Sequence, residues 1–131
     1  ITQERAANDM RDRFLGPRDF RPIGIFVRGP KGLRAGLVGE TGRGVFKLAY
    51  VWVAEEMRDQ GIGTKLLLAA ETEAMARGCR RVLLDTYDFQ ARPFYERHGY
   101  RVFAEFDGFA RGHSSFFMAK DLVTPPPARA T

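Results

Sequence analysis

Apolar and polar residues alternate along three successive stretches in the first half of the chain. The stretches cover residues 20–28, 33–40 and 45–53, and alternation at this period predicts strands. Glycine-containing turns over 29–32 and 41–44 separate them, so we predict that the three strands run antiparallel. The third strand is apolar on both faces near its end, which favours a central position in the sheet.

Apolar residues at helical spacing predict three helices, over 2–15, 62–77 and 91–98. The middle helix is the clearest, because it has one apolar face formed by Ile62, Leu66, Leu67, Ala70 and Ala74. The third helix is predicted to end at Gly99 in a left-handed cap, with Tyr100 folding back as the apolar partner of that cap.

Three further strands are predicted over 81–87, 100–106 and 114–120. The resulting order of helices and strands indicates an α/β fold with a mixed, mostly antiparallel sheet flanked by helices. We expect a single domain over residues 1–122. The tail over 123–131 contains three consecutive prolines and is predicted to be disordered.

The composition narrows the class of function. The chain has 131 residues and a net charge of +5, but its arginines are scattered and form no basic stripe of the kind that binds nucleic acid. Its apolar runs are far shorter than the ~20 residues of a membrane span, and residues 1–15 show no signal-peptide pattern. The single cysteine, Cys79, argues against a disulfide framework. We therefore expect a cytoplasmic protein with no nucleic-acid partner and no membrane partner.

A glycine loop joins the third strand to the middle helix with the spacing Arg58-x-x-Gly61-x-Gly63. Glycine lets the backbone approach a phosphate closely, and the free N–H groups at a helix start point toward such an anion. The spacing differs from the Gly-x-Gly-x-x-Gly of dinucleotide folds and lacks the Gly-Lys-Ser/Thr of P-loops. The positive net charge also favours a polyanionic ligand.

A second motif follows about thirty residues later, in the segment 91–100, which reads Ala-x-x-Phe-Tyr-x-x-x-Gly-Tyr. Together with the glycine loop and the Val-Trp-Val end of the preceding strand, it resembles the GNAT superfamily of N-acetyltransferases over roughly residues 20–122. This resemblance implies a GNAT-like fold and acetyl-CoA as the co-substrate. The family fold begins with one more strand before its first helix, and here we expect that strand to be missing or truncated.

The resemblance also implies a set of cofactor-binding residues. The backbone of Val51, Trp52 and Val53 would pair with the pantetheine arm of coenzyme A, with an N–H group facing the thioester carbonyl. The pyrophosphate would be held by the loop residues Arg58, Asp59, Gln60, Gly61, Ile62, Gly63 and Thr64. Asp88 stands where the family often carries a cofactor-contacting asparagine, so Gln90 is expected to take part of that role.

The motifs define the catalytic residues less completely. Tyr95 matches the family tyrosine that protonates the leaving thiolate, and its alternative role is that of a core aromatic residue. Ala49 stands where some relatives carry a carboxylate. The general base is therefore one of two candidates, Asp85 or His113, unless the amine loses its proton through water. No metal is implied.

The resulting hypothesis is an acetyl-CoA-dependent N-acetyltransferase that acts on a primary amine of a small molecule. Two alternatives stay open. One is a catalytically idle module that binds or senses acyl-CoA, which Ala49 and Asp88 favour, and the other is an acetyltransferase for a protein amine. The sequence does not identify the acceptor, and it leaves a homodimer open.

Overall fold

The computed structural model describes residues 20–87, 91–108 and 114–122. Several predictions fall outside these ranges, namely the helix over 2–15, the loss of a first strand, the tail over 123–131 and the roles of Asp88, Gln90 and His113.

Six strands and two helices are formed by the described residues, in the order that the sequence predicts. The strands are β1 (Arg21–Gly29), β2 (Gly32–Gly42), β3 (Val45–Val53), β4 (Arg81–Thr86), β5 (Arg101–Phe106) and β6 (Ser115–Asp121). The helices are α1 (Ile62–Ala76) and α2 (Arg92–Arg97), and a single 3-10 turn over Glu55–Met57 precedes α1. Neither described helix has the length and apolar character needed to cross a membrane.

The six strands form one mixed sheet in the order β1-β2-β3-β4-β6-β5. Every neighbouring pair is antiparallel except β3 and β4, which run parallel. A parallel pair needs a crossover connection, and α1 provides it between these two strands. The predicted mostly antiparallel sheet and the central position of β3 are confirmed.

The sheet opens between its two central strands. β3 and β4 are paired only where Val45, Phe46 and Lys47 face Arg81, Val82 and Leu83. Beyond this point β3 continues to Val53 and stays paired with β2, but none of the described residues pairs with it on the β4 side. A bulge accompanies the opening, because Leu48 and Tyr50 pair with successive residues of β2 and Ala49 between them is unpaired.

One face of the sheet, here called the inner face, packs against α1. The buried core combines apolar residues of the helix with those of the central strands, including Leu67, Ala70, Leu37, Phe46 and Val82. The opposite, outer face carries exposed aromatic side chains. Phe26 and Trp52 flank Gly36 there, and a Cβ atom at Gly36 would lie 2.9 Å from the Trp52 Nε1 atom, so a larger residue at this position would displace one of the two rings.

The predicted cap at the end of α2 is confirmed. Gly99 has a φ of 90°, its N–H donates to the Glu96 carbonyl (3.1 Å), and the Tyr100 N–H donates to the Tyr95 carbonyl (3.1 Å). The rings of Tyr100 and Tyr95 are in contact, with centroids 5.6 Å apart. Both bonds of a Schellman cap and its apolar contact are therefore present, and they fix the place where Tyr95 enters the core.

A buried carboxylate lies behind this cap. Glu71 of α1 is only 4% exposed, although its charge gave no indication of burial. It accepts a hydrogen bond from the Tyr100 hydroxyl (2.7 Å) and one from the Lys120 ammonium (2.8 Å). Burial, followed by this bond to the Glu71 carboxylate, raises the pKa of Tyr100 far above its usual value. The three side chains join α1 to the last two strands.

Candidate active site

A cleft lies on the inner side of the sheet where β3 and β4 separate. Its larger part is a cavity of about 670 Å³, lined by Val51, Trp52, Val53, Arg58, Asp59, Gly63, Ala91, Phe94 and Tyr95. A smaller part of about 240 Å³ is lined by Val53, Met57, Arg58, Asp59, Gly61, Ile62, Gly63, Thr64, Phe94 and Arg97. The two parts share several lining residues, so they form one continuous cleft along β3 and the start of α1.

The end of β3 presents to this cleft backbone groups that have no pairing strand among the described residues. The Ala54 N–H donates to the Arg34 carbonyl of β2 (2.7 Å), so Ala54 faces away from the cleft. Backbone groups alternate in direction along a strand, and the N–H and C=O groups of Val51 and Val53 therefore face the opening. The Val53 carbonyl accepts a bond from the Arg58 side chain (3.2 Å). The other groups can pair with an extended ligand.

The start of α1 supplies a second set of donors. Gly61 precedes the helix with a φ of 74° and offers no side chain to cap it. The first helical bond runs from the Lys65 N–H to the Gly61 carbonyl (3.0 Å). The amides of Ile62, Gly63 and Thr64 precede that bond and have no helical acceptor. Together with the helix dipole they form a suitable site for an anion.

Two arginines line the smaller part of the cleft beside these amides. One is Arg58, which the sequence predicted, and the other is Arg97 of α2, which it did not. The sequence contained one indication of this role: Arg97 follows Phe94 by three residues, so both side chains lie on the same face of the helix. Asp59 also lines the cleft. Its carboxylate repels an anion, so only the backbone of Asp59 is suited to contact one. Gln60 lines neither part, and its side chain donates to the Glu56 carbonyl (3.4 Å).

Tyr95 forms part of the wall of the larger cavity. It is 7% exposed, and its ring meets the Phe94 ring edge-on with centroids 5.2 Å apart. Burial raises the pKa of its hydroxyl above the ordinary value of 10.0, because an apolar environment disfavours the phenolate. The side chain therefore enters the cleft as a neutral hydrogen-bond donor.

A separate cavity of about 390 Å³ opens at the same gap in the sheet, lined by Gly39, Glu40, Lys47, Leu48, Ala49 and Asp85. Asp85 is exposed, whereas the neighbouring Leu84 is buried, so the Asp85 side chain lies on the outer face. In the part of the chain that the structure describes, neither Asp85 nor Glu40 forms a salt bridge. Asp85 and Tyr95 thus line different cavities, on opposite faces of the sheet.

The predicted site residues are therefore only partly brought together. Val51, Trp52, Val53, Tyr95 and most of the loop 58–64 surround one cleft. Gln90 and His113 lie outside the described residues, and Asp85 belongs to the outer face. Among the described residues, no three His, Cys, Asp or Glu side chains are placed to share a metal ion. The place of Glu40 and Lys47 in the outer cavity could not be predicted from sequence, because only the fold brings their strands next to β4.

Comparison with known proteins identifies the family. Residues 17–100 match the family model described as the acetyltransferase (GNAT) family. The chain belongs to this family. The acetyltransferase is 37% identical over 107 residues to an acetyltransferase of Agrobacterium fabrum, covering 81% of this chain and 78% of that one. It is 34% identical over 107 residues to blasticidin-S acetyltransferase of Streptomyces morookaense, covering 78% and 79%.

A solved structure agrees with this assignment. The crystal structure of an acetyltransferase from Agrobacterium tumefaciens superposes with a TM-score of 0.76 and 32% sequence identity, covering 92% of this chain and 94% of that one. The resemblance inferred from the two motifs and the predicted class of enzyme are both confirmed. The opened sheet of this acetyltransferase is thus part of a GNAT fold.

Proposed function

We propose that this acetyltransferase transfers the acetyl group of acetyl-CoA to a primary amine of a small molecule. One observation carries the proposal: the free edge of β3, the uncapped start of α1 and the Tyr95 side chain line a single cleft. The family relationship supports acyl transfer. A related sequence named blasticidin-S acetyltransferase supports a small-molecule acceptor.

The residues of the cleft fit the chemical groups of coenzyme A. The amides of Ile62, Gly63 and Thr64, with Arg58 and Arg97, supply the hydrogen-bond donors and the positive charge that suit its pyrophosphate. The backbone groups of Val51 and Val53 can pair with the amides of the pantetheine arm. Bound in this way, acetyl-CoA supplies a thioester whose carbonyl carbon is open to attack by an amine.

The chain can assist the reaction at two atoms. An N–H group of the Val51–Val53 edge is suited to stabilise negative charge on the carbonyl oxygen. The Tyr95 hydroxyl is suited to donate to the leaving thiolate. The amine must be neutral when it attacks. We propose that it approaches from the outer face, where the carboxylates of Asp85 and Glu40 outnumber the single ammonium of Lys47 and attract a cation.

The cofactor assignment predicts a loss of affinity when Gly63 is changed. Gly63→Val is expected to weaken coenzyme A binding by tenfold or more, about 1.4 kcal/mol, because a branched side chain then lies beside the free amides. Gly63 is a better probe than Gly61, whose φ of 74° strains any other residue. A Cβ atom at Gly63 would lie in ordinary van der Waals contact with the Phe94 ring (3.4 Å) and with the Val53 Cγ2 atom (3.8 Å). Isothermal titration calorimetry measures the change.

Thr72→Val is the matched control for this prediction. It places the same side chain on an exposed position of α1, far from the start of the helix, and should leave coenzyme A affinity unchanged. If a folded Gly63→Val protein binds coenzyme A as tightly as the parent protein does, the pyrophosphate does not bind at the start of α1.

The general base is identified by the pH dependence of activity. If His113 is the base, activity is expected to rise as pH increases through about 6.5, where histidine ordinarily loses its proton. His113→Ala should flatten this limb, and Asp85→Asn should leave its shape unchanged while raising the KM for a cationic acceptor. The reverse result assigns the base to Asp85. A limb that survives both substitutions indicates deprotonation through water.

Turnover of acetyl-CoA with a panel of amines tests the function as a whole. Acetylation of small amines in preference to peptides supports the proposal, and a preference for peptides assigns a protein acceptor. Coenzyme A binding with no turnover on any amine favours the idle module, which the alanine at position 49 supports. We expect the enzyme to work in the cytoplasm, where the buried thiol of Cys79 stays reduced.

A further inference from the structure

One polar contact joins the start of α1 to the end of α2 across the cleft. The Thr64 hydroxyl and the His98 Nε2 atom are 3.0 Å apart, although 34 residues separate them in the chain. The His98 ring also meets the Phe94 ring edge-on, with centroids 5.0 Å apart. The contact is partly buried, and Thr64, Phe94 and the neighbouring Arg97 all line the smaller part of the cleft.

The direction of this hydrogen bond decides what Thr64 can offer an anion. A hydroxyl has one hydrogen to donate, and a phosphate oxygen can only accept. If Nε2 accepts the Thr64 hydrogen, the hydroxyl presents lone pairs to the anion, which is unfavourable. If Nε2 carries a hydrogen and donates it, the Thr64 hydroxyl hydrogen is free for the phosphate. Both the cationic ring and one neutral tautomer can donate in this way.

We propose that His98 is a positioning residue for the pyrophosphate of coenzyme A, acting through Thr64. It donates its Nε2 hydrogen to the Thr64 hydroxyl, which then donates its own hydrogen to the pyrophosphate beside the free amides of α1. Phe94 holds the ring in this orientation through the edge-on contact. This inference rests on the proposed function, because it requires the pyrophosphate to bind at the start of α1.

The proposal also links the two halves of the site. Tyr95 and His98 lie on the same short helix segment, and Thr64 lies on α1. A contact between residues so far apart in the chain has no local sequence signal.

The test compares coenzyme A with pantetheine, which lacks the pyrophosphate. Isothermal titration calorimetry measures the affinity for each of the two probes. His98→Phe keeps an aromatic ring against Phe94 but removes the donor. This substitution should lower the affinity for coenzyme A about tenfold, which corresponds to the loss of one hydrogen bond to a charged group. It should leave the affinity for pantetheine unchanged.

Two further variants separate positioning from packing. His98→Gln restores a side-chain N–H donor and should recover most of the coenzyme A affinity. Thr64→Val removes the hydroxyl, and adding His98→Phe to it should cost nothing further, because both residues act through the same hydrogen bond.

The outcomes distinguish the two proposals. If the parent protein binds coenzyme A no better than pantetheine, the pyrophosphate site and this inference are both wrong. If the parent protein prefers coenzyme A and His98→Phe keeps that preference, or weakens both probes equally, His98 is a packing residue and only this inference is overturned.

Discussion

Lys120→Met is expected to lower the free energy of unfolding by about 3 kcal/mol, because it leaves the Glu71 carboxylate buried without a cation. This value lies at the lower end of the range of losses expected when one partner of a buried ion pair is removed. The Tyr100 hydroxyl still donates to Glu71, and the Lys120 side chain is 23% exposed. Domains of this size are stable by roughly 5–15 kcal/mol, so the loss should be obvious in urea denaturation followed by circular dichroism.

Arg81→Met is the matched control for this prediction. Arg81 forms an ion pair of similar length with Asp121 (2.9 Å), but both side chains are about half exposed. Its loss should cost at most about 1 kcal/mol. The double variant Glu71→Leu with Lys120→Met should be more stable than Lys120→Met alone, since no buried charge remains. Equal losses in Lys120→Met and Arg81→Met would show that Glu71 is not isolated from water.

The local features of the fold could be predicted from the sequence. The cap at Gly99 depends on neighbouring residues only, since a left-handed residue after a helix requires glycine and the next apolar side chain folds back on it. The six strands and α1 could be predicted because the alternation of apolar and polar residues and the helical spacing are also properties of neighbouring residues. The glycine loop before α1 is also local, because the spacing of its residues alone puts Gly61 and Gly63 at a helix start.

The features that join distant segments could not be predicted in this way. The burial of Glu71 depends on Tyr100 and Lys120, which are 29 and 49 residues away. A glutamate in a helix is ordinarily exposed, and only these partners make its burial tolerable. The outer cavity brings Glu40 together with Asp85 because β3 and β4 separate after Leu83. No periodicity in either strand encodes where their pairing stops.

Tyr95→Phe is expected to lower kcat by about 10²-fold and to leave acetyl-CoA affinity unchanged. In the proposed mechanism the hydroxyl acts on the leaving thiolate, which appears only late in the reaction, so its removal should affect turnover and not binding. General-acid catalysis contributes roughly 10²–10⁴-fold. We expect the lower end, because burial raises the pKa of Tyr95 and makes proton donation to a thiolate less favourable. Steady-state kinetics and calorimetry measure the two quantities.

The raised pKa also predicts the shape of the alkaline pH profile. The proposed role requires the acid form of Tyr95, and this form persists above the ordinary pKa of 10.0 because burial disfavours the phenolate. Tyr95 should therefore cause no fall in kcat between pH 6 and pH 10. A descending limb in this range that disappears in Tyr95→Phe would contradict the raised pKa.

Tyr100→Phe provides the control for Tyr95→Phe, because it removes a hydroxyl from the aromatic partner of Tyr95 without changing the cleft. Tyr100 is buried and lines neither part of the cleft, and its hydroxyl donates to Glu71. Its loss should lower stability and leave kcat unchanged at a temperature where the protein stays folded. If Tyr100→Phe reduces kcat as strongly as Tyr95→Phe, the effect comes from packing around α2. A Tyr95→Phe turnover within twofold of the parent protein would make Tyr95 a core aromatic residue without an acid role.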